Sequence, residues 1–144
     1  MRPVAVVTGG AGFIGSHMVD LLLTEGYDVR AVDNFSSGRR ENLAHHASNP
    51  RLIVETQDVR DLRPGAALFD GATVVFHFAG IGDVVPSIER PVNYLSANVM
   101  GTVCTLEAAR SAGVRKFIYA ASSSCYGLAT TLPTPEHAPI DPQY

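Results

Sequence analysis

The stretch Val4-Ala5-Val6-Val7-Thr8-Gly9-Gly10-Ala11-Gly12-Phe13-Ile14-Gly15 decides how the rest of the chain is read. Val4–Val7 is a short, unbroken apolar run, the mark of a strand buried on both faces of a parallel sheet. Glycines crowd the turn that follows. From Phe13 to Thr24, Ile14, Met18, Leu21 and Leu22 recur at helical spacing until Gly26 stops the helix. Gly9, Gly12 and Gly15 fall at the passage from strand to helix, and Gly10–Gly15 satisfies G-x-G-x-x-G. Each glycine answers a steric demand: a tight turn, close approach of a pyrophosphate to backbone, and close packing of helix on strand. The free N–H groups and positive dipole end of the helix, at Phe13 and Ile14, would face the phosphates.

Outward from this motif, Tyr27–Asp33 reads as a second strand and Asn34–Gly38 as a loop of turn formers. A carboxylate at the end of that strand accepts hydrogen bonds from ribose hydroxyls and repels a 2′-phosphate. Asp33 therefore predicts NAD rather than NADP, with Arg39 and Arg40 close enough in sequence to argue the other way. Arg51–Thr56, Thr73–Phe78 and Lys116–Ala121 read as three more strands, Asp61–Phe69 as a short helix. Pro91–Ala112 reads as a longer helix, with Pro91 in its first turn and Gly113 past its end. Strands alternating with helices predict a Rossmann-type doubly wound parallel sheet, one NAD-binding domain over 1–144. The prolines at 133, 135, 139 and 142 make 131–144 an extended loop, an ending that a substrate domain is expected to follow.

Eleven basic residues against fourteen acidic ones give no electrostatic case for nucleic acid or an anionic membrane. No apolar run approaches the roughly 18 residues needed to span a bilayer, and Val4–Val7 is too short for a signal-peptide core. Two cysteines, Cys104 and Cys125, form no metal-spaced cluster or disulfide framework. The plain expectation is a cytoplasmic location.

Several stretches in order resemble the extended short-chain dehydrogenases/reductases, the NAD-dependent sugar-nucleotide epimerase/dehydratase family. Thr8–His17 is similar to the family's opening. Asp33-Asn34-Phe35-Ser36-Ser37-Gly38 is similar to its ribose-binding loop, and Asp58-Val59 to the pair that contacts adenine. His77-Phe78-Ala79-Gly80 resembles the strand end beside the nicotinamide ribose. Asn98 in Asn98-Val99-Met100-Gly101-Thr102 corresponds to the conserved-motif asparagine, and Ala120–Gly127 to the active-site serine strand.

The resemblance implies hydride transfer between a sugar hydroxyl carbon and bound NAD, on a nucleotide-sugar substrate that is UDP-linked. Ser122 matches the catalytic Ser/Thr, and Ser123 and Ser124 are candidates for substrate contact. Dehydratases and decarboxylases of the family carry an acidic residue after the catalytic position. Serines stand there in this chain, so a UDP-sugar 4-epimerase-like activity is the expectation and a dehydratase or reductase the alternative. The family's acid/base is a tyrosine with a lysine four residues on, whose charge favours the phenolate. No Tyr-x-x-x-Lys is present; Tyr144 is the candidate tyrosine, slightly early for the family's spacing. Family members are longer than this chain, and their C-terminal half forms most of the sugar-nucleotide pocket. The chain as written is therefore expected to bind NAD but to be catalytically incomplete; the alternative is a truncated, non-catalytic NAD-binding protein.

The resemblance also implies a homodimer through the 91–112 helix, where Leu95, Val99, Val103 and Leu106 either pair between copies or cover the sheet. The histidines are expected to do less. His17 reads as packing or capping, and His77 as a structural hydrogen-bonding group. His45-His46 reads as a solvated pair with no third metal ligand at useful spacing.

Overall fold

The computed structural model describes residues 2–142. Five strands form one parallel sheet: β1 (Val4–Thr8), β2 (Asp28–Asp33), β3 (Leu52–Thr56), β4 (Ala72–His77) and β5 (Lys116–Tyr119), in the order β3-β2-β1-β4-β5. β1 is central, with Val4–Thr8 in register beside Asp28–Val32 on one side and Ala72–His77 on the other. Its side chains alternate between two cores. Ala5 and Val7 pack with Val19, Leu22, Leu23, Val29, Ala31 and Leu43 on the face covered by α1 (Phe13–Thr24). Val6 packs with Val32, Leu62, Phe69, Val75, Ala108 and Ala109 on the opposite face. The unbroken apolar run is thereby explained: each residue of β1 has a dry side to point into.

The second face is covered by a long helical stretch. α2 (Val84–Glu89) is followed by α3 (Pro91–Leu95) and α4 (Gly101–Ser111), the last two joined without a break through a π-helical segment, Ser96–Met100. The long helix expected over Pro91–Ala112 is thus present, with Pro91 in its first turn. Two expectations are corrected. Asp61–Phe69 is not one helix: Val59–Asp61 and Ala67–Phe69 are single 3-10 turns, separated by Pro64 and by Gly65, whose φ is +83°. Val84–Glu89, left without structure by the sequence reading, is helical, because Pro86 lies in its first turn, where its missing N–H costs nothing. A 3-10 helix over Arg40–His46 follows the loop after β2. Residues 128–142 contain no helix or strand. Among the described residues no helix is long and apolar enough to cross a membrane.

Candidate functional site

The order in which strands are added reverses at β1, which has β2 on one side and β4 on the other, and open α/β sheets place ligands at the carboxyl ends of strands at such a point. A cleft lies there. Its floor is the glycine turn. Gly9, at φ +65°, donates its N–H to the Val32 carbonyl at 2.9 Å, and a side chain on it would strike the Ala79 backbone at 2.8 Å. A methyl on Gly15 would stand 2.1 Å from the Gly9 carbonyl oxygen, so α1 can seat on the turn only with glycine there. Gly12 differs: a methyl would meet only the Gly9 oxygen, at 3.2 Å, and its backbone is extended (φ −73°, ψ 174°). The protein itself demands glycine far less at position 12 than at 9 or 15, and position 12 lines the cleft, so the space over it is what a ligand would use.

Asp33 is almost fully buried at the end of β2. Its Oδ2 accepts the Ala11 N–H at 2.9 Å and its Oδ1 the Phe35 N–H at 2.8 Å. One carboxylate therefore fixes both the glycine turn and the loop opposite. The Ala11 carbonyl completes the tie by accepting from the Arg39 N–H at 3.0 Å and the Asn42 side-chain amide at 2.7 Å. Gly38 passes so close that a Cβ would lie 2.7 Å from the Asp33 carboxylate. Neither Arg39 nor Arg40 lines the cleft: the Arg40 guanidinium sits 4.0 Å from the centroid of the Phe35 ring and donates to Thr56.

Asn34, Ser36, Ser37, Asp58 and Val59 line the same cleft, as do Phe78, Ala79 and Gly80. Asp58 caps the Val59–Asp61 turn. It is gripped by the Arg60 guanidinium at 2.7 and 2.9 Å, the Arg60 N–H at 2.9 Å and the Asn34 amide at 2.8 Å. The Arg60 fork, with those two N–H donors, holds the Asp58 carboxyl far below the usual carboxylate range despite partial burial. Phe13 and Ile14 open α1 with exposed side chains outside the cleft, so only their backbone can serve a ligand over the turn. Gly15, Phe35 and Gly38 also stand outside it, in the supporting roles above. Gln57, Arg60, Ile81, Asn93 and Ala97 line the cleft without having been singled out from sequence. Only Arg60 carried a signal, a cation two positions after Asp58.

A second cleft continues from the first, sharing Phe78, Ala79, Gly80 and Ile81, and is lined by Asn98, Thr102, Tyr119 and Ser122. Asn98 lies in the π-helical segment and clamps the loop between the clefts: its Oδ1 accepts the Ile81 N–H at 2.8 Å and its amide donates to the Ile81 carbonyl at 2.9 Å. The structure thus makes it a support of the Phe78–Ile81 wall. Ser122 is exposed at the end of β5. Its Oγ accepts the Ser124 N–H at 3.1 Å and lies 3.0 Å from the Ser124 hydroxyl, while Ser123 begins a 3-10 turn. Tyr144 lies outside the described residues.

His77 is buried beneath both clefts. Thr102 donates its hydroxyl proton to the Asn98 carbonyl at 2.6 Å, so it accepts from His77 Nε2–H at 2.9 Å. His77 Nδ1 then accepts from the Thr8 hydroxyl at 2.7 Å, and Thr8 Oγ1 accepts the Ala79 N–H at 3.2 Å. Every donor in this chain has one acceptor, which selects the neutral Nε2–H tautomer. Burial pushes the imidazole down to about 4.

A parallel sheet with a glycine turn and an acidic strand end at its switch point defines a dinucleotide-binding domain of the Rossmann type. Within that class, the chain belongs to the NAD dependent epimerase/dehydratase family, which it matches over residues 5–144. The family's dependence on NAD agrees with the choice drawn from Asp33. UDP-glucose 4-epimerase of Mycolicibacterium smegmatis is 40% identical over 139 residues, covering 95% of this chain and 44% of that protein. A solved UDP-galactose 4-epimerase is 47% identical, with a TM-score of 0.80 over 96% of this chain and 45% of its own. A dTDP-glucose 4,6-dehydratase from Streptomyces venezuelae, solved with NAD bound, is 34% identical, with a TM-score of 0.84 over 96% of this chain and 45% of its own. The chain therefore spans less than half the length of these relatives.

Proposed function

We propose that this chain is the NAD-holding half of a UDP-sugar 4-epimerase-type enzyme and that the remainder of such an enzyme supplies most of the sugar-nucleotide pocket. The observation that carries the proposal is the Gly12 position, which faces the cleft with only one mild contact inside the protein, together with the buried carboxylate of Asp33. Pyrophosphate would lie over Gly9, Gly12 and the N–H groups of Phe13, Ile14 and Gly15, with the adenosine ribose at Asp33 and the Asn34–Gly38 loop. Asp58 and Val59 would flank adenine, with the Asp58 charge compensated by Arg60. Phe78, Ala79 and Gly80, braced by Asn98, would border the nicotinamide ribose. When bound, NAD supplies the hydride acceptor and donor for the sugar carbon. Ser122 would turn its hydroxyl from Ser124 to the sugar oxygen, Ser123 and Ser124 would touch substrate, and a tyrosine, for which Tyr144 is this chain's candidate, would hold the proton. Calorimetric titration of the full chain with NAD and NADP tests the proposal. Saturable NAD binding at least about tenfold tighter than NADP, a difference of roughly 1.4 kcal/mol, is expected. Absence of saturable NAD binding would overturn it.

We further propose that the Pro91–Ser111 stretch pairs two copies. Leu95, Val99, Val103 and Leu106 are all exposed, so covering the sheet does not occupy them. Together they form a stripe at helical spacing of the kind that buries itself in helix–helix contacts. Light scattering should show a dimer, and Leu95→Glu with Val103→Glu should shift it to monomer. A wild-type chain monomeric at all concentrations would remove this part of the proposal.

A further inference from the structure

His45 and His46 are neighbours in the 3-10 helix Arg40–His46, where successive side chains diverge by about 120°. They nevertheless converge. His45 Nε2 lies 2.8 Å and His46 Nε2 2.7 Å from the same atom, Oδ1 of Asp20, and the two ring centroids are 4.1 Å apart. Asp20 comes from the outer face of α1. The three ligand atoms all lie within 4.8 Å of one another. His17, one turn earlier on α1, places Nδ1 3.7 Å from the other carboxylate oxygen. The absence of a third ligand, expected from sequence spacing, is therefore corrected by the fold. The carboxylate is thus turned toward two imidazoles.

We propose that Asp20, His45 and His46 bind a divalent transition-metal ion, with zinc the best match to two imidazoles and a carboxylate. Zinc takes such ligands at about 2.0–2.2 Å in tetrahedral array, which sets neighbouring ligand atoms roughly 3.3 Å apart. The present contacts of 2.7 and 2.8 Å would open by about half an ångström, and the two imidazole nitrogens, no more than 4.8 Å apart, would close by no more than about 1.5 Å through side-chain rotation. On binding, each imidazole presents its Nε2 lone pair and carries its proton on Nδ1. His17 or water would fill the fourth position. The ion would clip α1 to the 3-10 helix that follows the Asn34–Gly38 loop, joining the two segments that Ala11 already ties through Arg39 and Asn42. It lies outside both clefts, so its role is to brace the cofactor loop rather than to take part in chemistry.

The test is cobalt titration of the untagged, metal-free full chain, followed by zinc. One equivalent of Co²⁺ should give the intense visible absorption of a four-coordinate ion, be displaced by Zn²⁺, and raise the thermal midpoint with increasing metal concentration. His45→Gln alters an exposed side chain and should leave the metal-free midpoint unchanged, yet weaken Co²⁺ binding by more than the roughly 100-fold that marks the upper end of losing an outer-sphere partner. Asp20→Asn, which also loses the carboxylate contacts with both imidazoles, should weaken Co²⁺ binding likewise. No saturable cobalt uptake would overturn the proposal. So would uptake that is undiminished in both variants, since the ion would then sit elsewhere.

Discussion

Replacing Gly15 by alanine should cost the chain both stability and NAD affinity, whereas Gly12→Ala should cost chiefly affinity. In a helix, alanine is ordinarily preferred to glycine by about 1 kcal/mol. At position 15 that gain is overwhelmed, because the new methyl would lie 2.1 Å from the Gly9 carbonyl oxygen and 2.8 Å from its carbon, both rigid backbone. Helix α1 must lift or the turn must shift. The shift would strain the Gly12 N–H bond to Gly9 at 3.0 Å and the Gly9 N–H bond to Val32 at 2.9 Å. A loss of about 3 kcal/mol is expected, a large share of a small domain's margin. At position 12 the extended backbone suits alanine, and the one close contact, 3.2 Å to the Gly9 oxygen, asks for a shift far smaller than the 2.1 Å clash at position 15. Its methyl would instead occupy the space a pyrophosphate needs, so NAD should bind about a hundredfold more weakly while the urea midpoint falls much less than in Gly15→Ala. Urea unfolding and NAD calorimetry on the two variants read both quantities. Wild-type affinity in Gly12→Ala would remove the phosphates from the turn and, with them, the basis of the functional proposal.

Much of this was legible because local sequence determined it. The apolar runs marked all five strands to within a residue or two, most plainly the inner strands β1, β2 and β4, whose burial on both faces tolerates little else. The glycine turn and Asp33 were legible for a related reason: their jobs depend on neighbours in the chain and on one strand end. What escaped depends on juxtaposition across elements. Gln57, Asn93 and Ala97 reach the cleft only because the π-helical segment and the Val59–Asp61 turn are packed together. Asn98 was legible as a position but not as a clamp on Ile81. The meeting of Asp20 with His45 and His46 depends on how the 3-10 helix seats Leu43 in the core beside α1, a register no local pattern specifies.

Acid should destabilise the chain through His77 before it reaches the paired carboxylates. The imidazole is held near 4 in the folded protein by burial, against 6.5 in an unfolded chain. Between those values the unfolded state binds the extra proton and the native state does not, so stability is full above about pH 6.5, falls as pH drops, and levels off below about pH 4. The difference amounts to about 3 kcal/mol. The hydrogen bonds give the same sign. Protonation would put a second N–H on the ring, facing Thr8 Oγ1, which already accepts from Ala79 and donates to Nδ1. Asp58, held far below the usual carboxylate range by Arg60, starts to lose its contribution only below about pH 5, where the unfolded carboxylate protonates, and does so equally in wild type and in a His77 variant. His77→Asn removes the titrating group while keeping a donor and an acceptor. The variant should be less stable at neutral pH, and the gap between it and wild type should close as pH falls from about 6.5 to 4. Because Ala79 links the network to the cleft wall, NAD affinity should weaken over the same interval in wild type. Urea midpoints of both proteins, measured at intervals across this range, decide the matter. A gap that stays constant with pH would mean that His77 is not the group through which acid loosens the fold.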